Sequence, residues 1–450
     1  MNPLRFHIAR TAGRLTRFLL RLIGRPASTL PGAVALRLAP GMLAPLAARH
    51  PILIVTGTNG KTTTTALIVH LLEAAGEELV TNAYGANLAS GITSCLIAAR
   101  PGTSAILEVD EAAFAALAGQ LDPTLVVVTN IFPDQLDRFP SPATVRELIA
   151  KGIRATAPTT RLVLCADDPE LYPLAGLGGR PTLHFGAAPT EFLPASDTTA
   201  YTCPVCGHSL RYRAVTIAQC GHYLCEACAC HRPAADLEIA RRDSGAADRT
   251  ELEILWDGER GEARLALSGL YNAYNAAAAL LAADAVRPDR PRQQLLADLE
   301  SARPAPGRQE TLDYRGRRLR LILVKNTAGL EESLGLVARQ PDIGALAFLI
   351  NNEPADGRDP AWVRAVRSGR FPLPAVPVGI GGSQTAVLAD WLKPQLDGQE
   401  PIAAENDLAM VDRLVEVCPP ERTIYLLPNY SALFALRRQL LANGAKTPEP

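Results

Sequence analysis

Short apolar runs alternate with helix-like stretches in two separate parts of the chain. Between residues 51 and 170, runs such as PILIVT and TLVVVTN are separated by stretches such as TALIVHLLEAAG. A second series begins after about residue 305 with LRLILVKN, GALAFLI, AVPVGI and TIYLLP. This alternation predicts parallel sheets joined by right-handed crossovers. The sequence therefore predicts an α/β protein with two sheet-containing domains, joined at a hinge in PAPGRQE, residues 304–310.

Polar residues follow the predicted strands of the first series at the same end. Glu108, Asp110 and Glu111 come after one strand, while Thr129–Asn130 and Asp167–Asp168 come after two others. Ligands of parallel α/β sheets bind at the carboxyl ends of the strands. These residues are candidate site residues, although a carboxylate at a strand end can also be a simple surface group.

The stretch PILIVTGTNGKTTTT, residues 51–65, joins an apolar strand to a glycine-bracketed turn and a helix. Such a turn directs backbone N–H groups and the positive end of a helix dipole at one point, where phosphate binds. Lys61 is placed to reach the β- and γ-phosphates, and the Thr62 hydroxyl is placed to bind Mg²⁺. The alternative is a turn that needs glycine only for its backbone. We predict ATP binding by Gly57, Thr58, Asn59, Gly60, Lys61, Thr62 and Thr63.

Composition narrows the possible classes of protein. The chain has 450 residues, of which 48% are apolar and 20% are charged, so a globular protein of two or three domains is expected. Its formal net charge of −1 gives no indication of a nucleic-acid partner. No apolar run approaches the length of a membrane span, and no signal peptide is recognisable. A cytoplasmic location is therefore expected.

The first 25 residues have the pattern of a basic amphipathic helix. Arginines repeat at helical spacing, and apolar residues fall on another face; they are Arg10, Arg14, Arg17 and Arg21, and Ile8, Leu15, Leu19 and Leu22. Such a helix can lie on an anionic membrane surface. It can equally pack on the adjoining domain with its arginines in water. Both interpretations stay open at this point.

Six of the nine cysteines lie between residues 203 and 230. Two CxxC pairs separated by eighteen residues have the spacing of a zinc ribbon, in which four thiolates bind one ion tetrahedrally. Four thiolates leave no open coordination position, so the site is predicted to be structural. The predicted zinc ligands are Cys203, Cys206, Cys225 and Cys228, whereas Cys220 and Cys230 are spare thiols.

Several motifs together resemble the MurT family, whose members are the Mur-ligase-like subunits of lipid II isoglutaminyl synthase. The motifs that carry the resemblance are GTNGKTTTT (57–65), LEVDEA (107–112), TNIFPDQLDRF (129–139), the CxxC pairs, GLYNAYNAAAA (269–279), PGRQE (306–310), VKNTAGLEE (324–332) and LPNYSALFALR (427–437). The resemblance implies a Mur-ligase-like P-loop central domain with a parallel sheet over residues 51–304. A zinc ribbon is inserted at about 200–233. It also implies an N-terminal basic amphipathic segment (1–50) and a C-terminal Rossmann-like α/β domain (305–450).

The resemblance also implies a reaction. Members activate the α-carboxylate of D-glutamate in the lipid II stem peptide as an acyl phosphate, using ATP and Mg²⁺. Ammonia from a GatD-like class I glutaminase partner then yields D-isoglutamine in peptidoglycan synthesis at the inner membrane surface. Lys61 is the expected catalytic cation, and Thr62 and Glu108 are the expected Mg²⁺ ligands. Asn272 and Asn275 would contact the nucleotide, and Arg308 a phosphate or the ribose.

The chain departs from the family pattern at two places. Family members usually carry an aspartate where this chain has Asn352, and that aspartate is thought to complete the partner's Cys-His pair into a triad. An amide cannot stabilise an imidazolium, so Glu353 or Asp356 could substitute, or the partner could work differently. Ordinary Mur ligases carry a histidine where Gln135 stands. A neutral amide is a poor ligand for a divalent metal, so the sequence does not decide whether a second Mg²⁺ is bound.

Two other functions are alternatives to this one. A stand-alone Mur-type ligase would join an amino acid to a peptidyl carboxylate, but Gln135 and the ribbon argue against it. A non-catalytic scaffold would bind nucleotide and partner only, but the intact Gly57, Lys61, Thr62 and Glu108 argue against that.

Overall fold

The computed structural model describes residues 2–82, 86–134, 141–194, 201–242, 249–303, 308–354, 356–357, 359–366 and 372–447. Its helices are α1 Pro3–Leu22, α2 Leu30–Leu38, α3 Leu43–Ala47, α4 Lys61–Ala74, α5 Ala89–Ala98, α6 Glu111–Leu121, α7 Pro142–Ala155, α8 Leu270–Val286, α9 Arg292–Leu299, α10 Thr327–Ala338, α11 Thr385–Leu392, α12 Asp407–Val417 and α13 Tyr430–Ala442. Its strands are β1 Ile52–Thr56, β2 Leu79–Thr81, β3 Ser104–Glu108, β4 Leu125–Val128, β5 Arg161–Cys165, β6 Thr182–Ala187, β7 Leu193–Pro194, β8 Arg211–Val215, β9 Gly221–Leu224, β10 Leu237–Arg242, β11 Thr250–Trp256, β12 Glu259–Leu265, β13 Arg308–Tyr314, β14 Arg317–Ile322, β15 Ile343–Leu349, β16 Val378–Gly381 and β17 Thr423–Pro428.

The central domain is built on a nine-stranded sheet of order β12-β11-β10-β6-β5-β4-β1-β3-β2. Seven of these strands run parallel: β10, β6, β5, β4, β1, β3 and β2. Ile54 of β1 lies opposite Leu107 of β3 on one side and Val126 of β4 on the other. β1 and β4 are buried at every position, as expected for strands covered by helices on both faces. The predicted parallel sheet is confirmed.

An antiparallel extension completes this sheet at one edge. β10, β11 and β12 pair antiparallel, and burial alternates along Thr250–Trp256 because only one face of this hairpin is covered. The sequence does not predict these strands, because their alternating polar residues give a weaker signal than the continuous apolar runs of the central strands.

The cysteine-containing segment leaves this sheet after β6 and returns at β10, which pairs in parallel with β6. It forms its own three-stranded sheet, β7-β8-β9. The segment is therefore an insertion between two neighbouring strands, as predicted, and it leaves the parallel order undisturbed.

The C-terminal domain contains a five-stranded sheet of order β13-β14-β17-β15-β16. β14, β17, β15 and β16 are parallel, and β13 is antiparallel to β14. The four apolar runs predicted from the sequence are the four parallel strands. β13 begins at Arg308, inside the predicted hinge 304–310, so residues 308–310 are part of a strand; residues 304–307 lie outside the described part of the chain.

The N-terminal segment packs on the central domain through α1, α2 and α3. Phe6, Ala9 and Gly13 of α1 are buried, and a side chain at Gly13 would meet Ile97 of α5 at 2.9 Å. The helix thus packs on its neighbour, as one of the two interpretations held, but most of its leucines are exposed as well as Arg14 and Arg21, whereas Arg10 and Arg17 are half-buried. In the part of the chain that the structure describes, no helix is long and apolar enough to cross a membrane.

Candidate active site

The turn between β1 and α4 has the backbone of a phosphate-binding loop. Gly57 and Gly60 have φ values of 117° and 87°, a region that other residues rarely adopt. A Cβ atom at Gly60 would lie 2.1 Å from the Asn275 amide oxygen, so the close approach of α8 also requires glycine. The first N–H groups of α4 have no partner within the helix and point at the space beyond the turn. An anion is favoured at this point.

Lys61 begins α4 and curls back over the turn. Its ammonium donates to the carbonyl oxygens of Gly57 and, at 3.2 Å, Thr58, and it lies 3.4 Å from a carboxylate oxygen of Glu111. Burial by itself lowers the pKa of Lys61, but the nearby carboxylates, Glu111 and Glu108 foremost, outweigh it and raise the pKa. Lys61 is therefore a fixed positive charge at neutral pH.

The carboxylates predicted at the end of β3 divide into two roles. Glu108 is buried, its backbone N–H donates to the Asn82 side chain, and its own side chain lies 3.5 Å from the Asn87 amide nitrogen. Asp110 instead caps α6, accepting from the N–H groups of residues 112 and 113. Both residues line the cavity, but the Asp110 carboxylate is also engaged as the cap of α6.

Two asparagines of α8 face the phosphate loop. Asn275 accepts from the Thr64 hydroxyl at 3.3 Å and donates to Asn272 at 3.1 Å, and Asn272 donates to the Ser268 carbonyl. Both are buried against the loop, so the structure brings the predicted nucleotide contacts to the predicted phosphate site.

Arg308 reaches the same loop from the beginning of the C-terminal domain. One guanidinium nitrogen lies 3.4 Å from the Thr62 hydroxyl. Burial lowers the pKa of Arg308, and the nearby Glu108 opposes that effect. The guanidinium and Lys61 together surround the space above the loop with positive charge.

Lys325 and Asn326 were not singled out from the sequence, although both lie in the VKNTAGLEE motif. The Lys325 ammonium donates to the Thr58 carbonyl at 2.6 Å and pairs with Asp134 at 3.0 Å. Asn326 exchanges two amide hydrogen bonds with Asn59, at 3.2 and 3.0 Å, and also caps α10. These contacts join the C-terminal domain directly to the phosphate loop. Only their position in a recognised motif could have indicated them.

Most of the groups described above line one cavity of about 860 Å³ between the two domains. It is large enough for a nucleotide together with part of a second substrate. Thr62, Glu108, Asn272, Asn275, Arg308 and Lys325 all contribute to its wall. Gln135, which stands where ordinary Mur ligases carry a histidine, lies outside the described residues.

The loop after β15 separates Asn352 from Asp356. Asp356 is 7% exposed, lines the cavity and accepts from both the N–H and the hydroxyl of Ser431 at the start of α13. Asn352 is exposed, and its amide oxygen accepts from the Ser383 hydroxyl at 3.0 Å. The candidates for the partner's triad therefore have different surroundings: Asp356 faces the cavity, whereas Asn352 and Glu353 face solvent.

The four predicted zinc ligands converge. Their sulfur atoms all lie within 4.8 Å of one another, with Cys203 to Cys228 at 3.6 Å and Cys206 to Cys225 at 3.5 Å. Among the described residues this is the one cluster of at least three Cys, His, Asp or Glu ligands. Cys220 is buried elsewhere, beside Cys165.

Comparison with known proteins agrees with this architecture. Residues 55–191 match the Mur ligase middle domain, and residues 323–433 match the MurT ligase C-terminal domain. The chain is 33% identical over 446 residues to the lipid II isoglutaminyl synthase (glutamine-hydrolyzing) subunit MurT of Streptococcus pneumoniae, with 96% of each chain covered. It is 30% identical to the subunit of the same name from Staphylococcus aureus, covering 95% of this chain and 96% of that one.

Solved structures show the same fold at low identity. MurF ligase from Thermotoga maritima in complex with ADP aligns over 91% of this chain and 83% of its own, with a TM-score of 0.64 and 15% identity. Folylpolyglutamate synthase from Mycobacterium tuberculosis, complexed with ADP and AMPPCP, aligns over 92% and 95%, with a TM-score of 0.61 and 16% identity.

Proposed function

Because this chain belongs to the MurT family, we propose that it is the ATP-dependent ligase subunit of a lipid II isoglutaminyl synthase in peptidoglycan synthesis. The observation that carries the proposal is the cavity between the domains, where Lys61, Arg308 and Lys325 surround a phosphate loop and Glu108 faces them. Membership extends over nearly the whole chain, including the C-terminal domain, where residues 323–433 match the MurT ligase C-terminal domain.

The proposed chemistry is the activation of a carboxylate. A carboxylate oxygen of the D-glutamate residue attacks the γ-phosphorus of ATP, ADP leaves, and an acyl phosphate forms. Ammonia then attacks the carbonyl carbon, phosphate leaves, and loss of a proton gives the amide. Lys61 and Arg308 stabilise the charge that develops on the transferred phosphoryl oxygens.

Mg²⁺ would be held by the Thr62 hydroxyl and Glu108, and would neutralise charge on the phosphates when bound. Oxygen ligands of this kind suit the ion, and the remaining positions are ordinarily filled by phosphate and water. Asn272 and Asn275 would orient the nucleotide, because both line the cavity and Asn275, which donates to Asn272, lies against Thr64 at the beginning of α4.

The ammonia would come from a separate GatD-like class I glutaminase, bound by the C-terminal domain. Within this chain, Cys95, Cys165 and Cys418 are buried, and burial raises the pKa of each thiol, that of Cys95 to about 12. A buried, protonated thiol is a poor nucleophile. We assign Asn352 to the surface of this chain that contacts the partner, because Asn352 is exposed. Asp356 instead lines the cavity and accepts two hydrogen bonds from Ser431. The complex would act in the cytoplasm on membrane-held lipid II.

Zinc would be held by Cys203, Cys206, Cys225 and Cys228, whose convergence fits a tetrahedral thiolate site. Metal analysis of protein purified without a histidine tag should give close to one zinc per chain. The content should fall at least tenfold in Cys203→Ser and stay unchanged in the matched control Cys230→Ser. Loss of zinc from the Cys230 variant instead would overturn this ligand set.

The function is tested by reconstitution with a class I glutaminase, lipid II, ATP and ¹⁵N-amide glutamine. We expect one ADP released for each ¹⁵N-labelled amide formed on lipid II, and no amide without the glutaminase unless ammonia is added. ATP turnover that required an added amino acid and ignored the glutaminase would indicate a stand-alone ligase. Absence of ATP turnover with all components present would indicate a scaffold.

A further inference from the structure

The outward face of α1 is apolar, and we call it the α1 apolar face. Its members follow helical spacing and point away from the domain; they are Leu4, Ile8, Leu15, Phe18, Leu19 and Leu22. Leu4 is 67% exposed, Leu15 56% and Leu22 66%. Leucines so exposed in a row on one helix are rare on the surface of a monomer and indicate an interaction site.

The helix that carries this face is fixed rigidly to the domain. Gly13 packs against Ile97 and Pro31, with no room for a side chain. Arg14 donates to the Ile97 carbonyl at 3.2 Å, and Arg17 lies 3.5 Å from the Ser94 carbonyl oxygen. Because one side of α1 is committed in this way, the apolar side cannot rotate inward to be buried.

The charged residues of the N-terminal segment, residues 1–50, are all basic. Residues 1–72 contain no aspartate or glutamate, and residues 1–50 contain eight arginines, whereas the whole chain has a net charge of −1. No arginine of α1 makes an ion pair with any residue that the structure describes. Burial, and then the neighbouring Arg14 and Arg49, lower the pKa of Arg10, as expected where cations crowd without counter-charges.

We propose that the α1 apolar face docks on an anionic phospholipid surface. The apolar side chains would enter the boundary between headgroups and acyl chains, and the flanking arginines would contact lipid phosphates. A protein partner would need acidic residues around an apolar groove, whereas an anionic bilayer supplies both features over any area. The inference does not depend on the proposed reaction.

Docking through the α1 apolar face would also fix the position of the cavity relative to the lipid surface. Leu88, which precedes α5, lines the cavity, while Ile97 near the other end of α5 lies under α1. A helix of this length spans roughly 15 Å, so the lipid surface and the cavity would be held apart by one rigid element.

The test is sedimentation of the purified full chain with vesicles of phosphatidylglycerol and phosphatidylcholine, or of phosphatidylcholine alone. We expect binding to the anionic vesicles, about tenfold weaker for Leu15→Glu, because one buried leucine is lost. Leu22→Glu should behave in the same way. The matched control Val417→Glu, on α12 and 51% exposed, should bind within about twofold of the unmodified chain.

Charge is tested by Arg21→Glu, which should weaken binding to anionic vesicles several-fold. Thermal unfolding of each variant should match that of the unmodified chain, since all the substituted positions are exposed. Equal binding of Leu15→Glu and the unmodified chain would overturn the proposal, as would equal binding to neutral and anionic vesicles. A dimer that Leu15→Glu dissociates, without any vesicle binding, would make the face an interface between two copies.

Discussion

Two loops occupy equivalent places in the two domains and yet present opposite chemistry. The phosphate loop, residues 57–63, follows β1, and the second loop, residues 351–357, follows β15; both strands end at the carboxyl edge of a parallel sheet. In the phosphate loop, backbone donors and Lys61 face the cavity. In the second loop, the polar groups mostly bind one another and α13: Asn351 donates to Ser431, and Asn429 donates to the Asn351 carbonyl.

The difference teaches that position in the fold does not define a site. Parallel sheets place loops where ligands can bind, but a loop binds a ligand only if its donors are left unpaired. The phosphate loop leaves the first N–H groups of α4 open. The second loop uses the Asp356 carboxylate to satisfy the start of α13, and so the polar side chains that remain exposed for a partner are those of Asn352 and Glu353.

The largest effect is expected from the phosphate loop itself. Lys61→Ala should lower ATP turnover by about 10²- to 10³-fold or more, because it removes the cation nearest the transferred phosphoryl group. Steady-state release of ADP by the reconstituted complex measures this. Lys151→Ala, an exposed lysine of α7, is the matched control and should have no effect. Undiminished turnover in a folded Lys61→Ala protein would remove the ATP-site assignment.

A smaller effect is expected where the two domains meet. Lys325→Ala should reduce kcat/KM for ATP by about tenfold, since it removes the ammonium that joins Thr58 and Asp134 across the cavity. The exposed Lys393→Ala in the same domain serves as control. If Lys325→Ala left ATP kinetics unchanged, the contact would be only a link between domains.

The smallest effect, and the one that most sharpens the comparison, is at the second loop. Asn352→Asp should raise glutamine hydrolysis by the complex about three- to tenfold, because a carboxylate stabilises the partner's imidazolium better than an amide does. ATP turnover supported by free ammonia should not change. Should Asp356→Asn stop glutamine hydrolysis while Asn352→Asp alters neither rate, Asp356 would be the working carboxylate.

The sequence by itself determined the parts of this protein whose residues are neighbours in the chain. The phosphate loop and its lysine fall within GTNGKT, and the cysteine ligands fall within two CxxC pairs, because turn geometry and tetrahedral ligation both impose short, fixed spacings. The apolar strands were equally clear, since burial on both faces requires continuous apolar runs. Polar and apolar residues alternate along β11 and β12, so these strands lack that signal and cannot be predicted in the same way.

Only the tertiary structure decided which distant residues share a site. Lys325 lies 267 residues from Thr58, and Arg308 lies 246 residues from Thr62, so no local spacing relates them. The structure also decided which side of α1 is buried: the periodicity indicated an arginine face and an apolar face, but the side that packs on α5 is a third one, formed by Phe6, Ala9 and Gly13. Contacts of this kind depend on how two folded surfaces meet, and the pattern along one element carries no record of its partner.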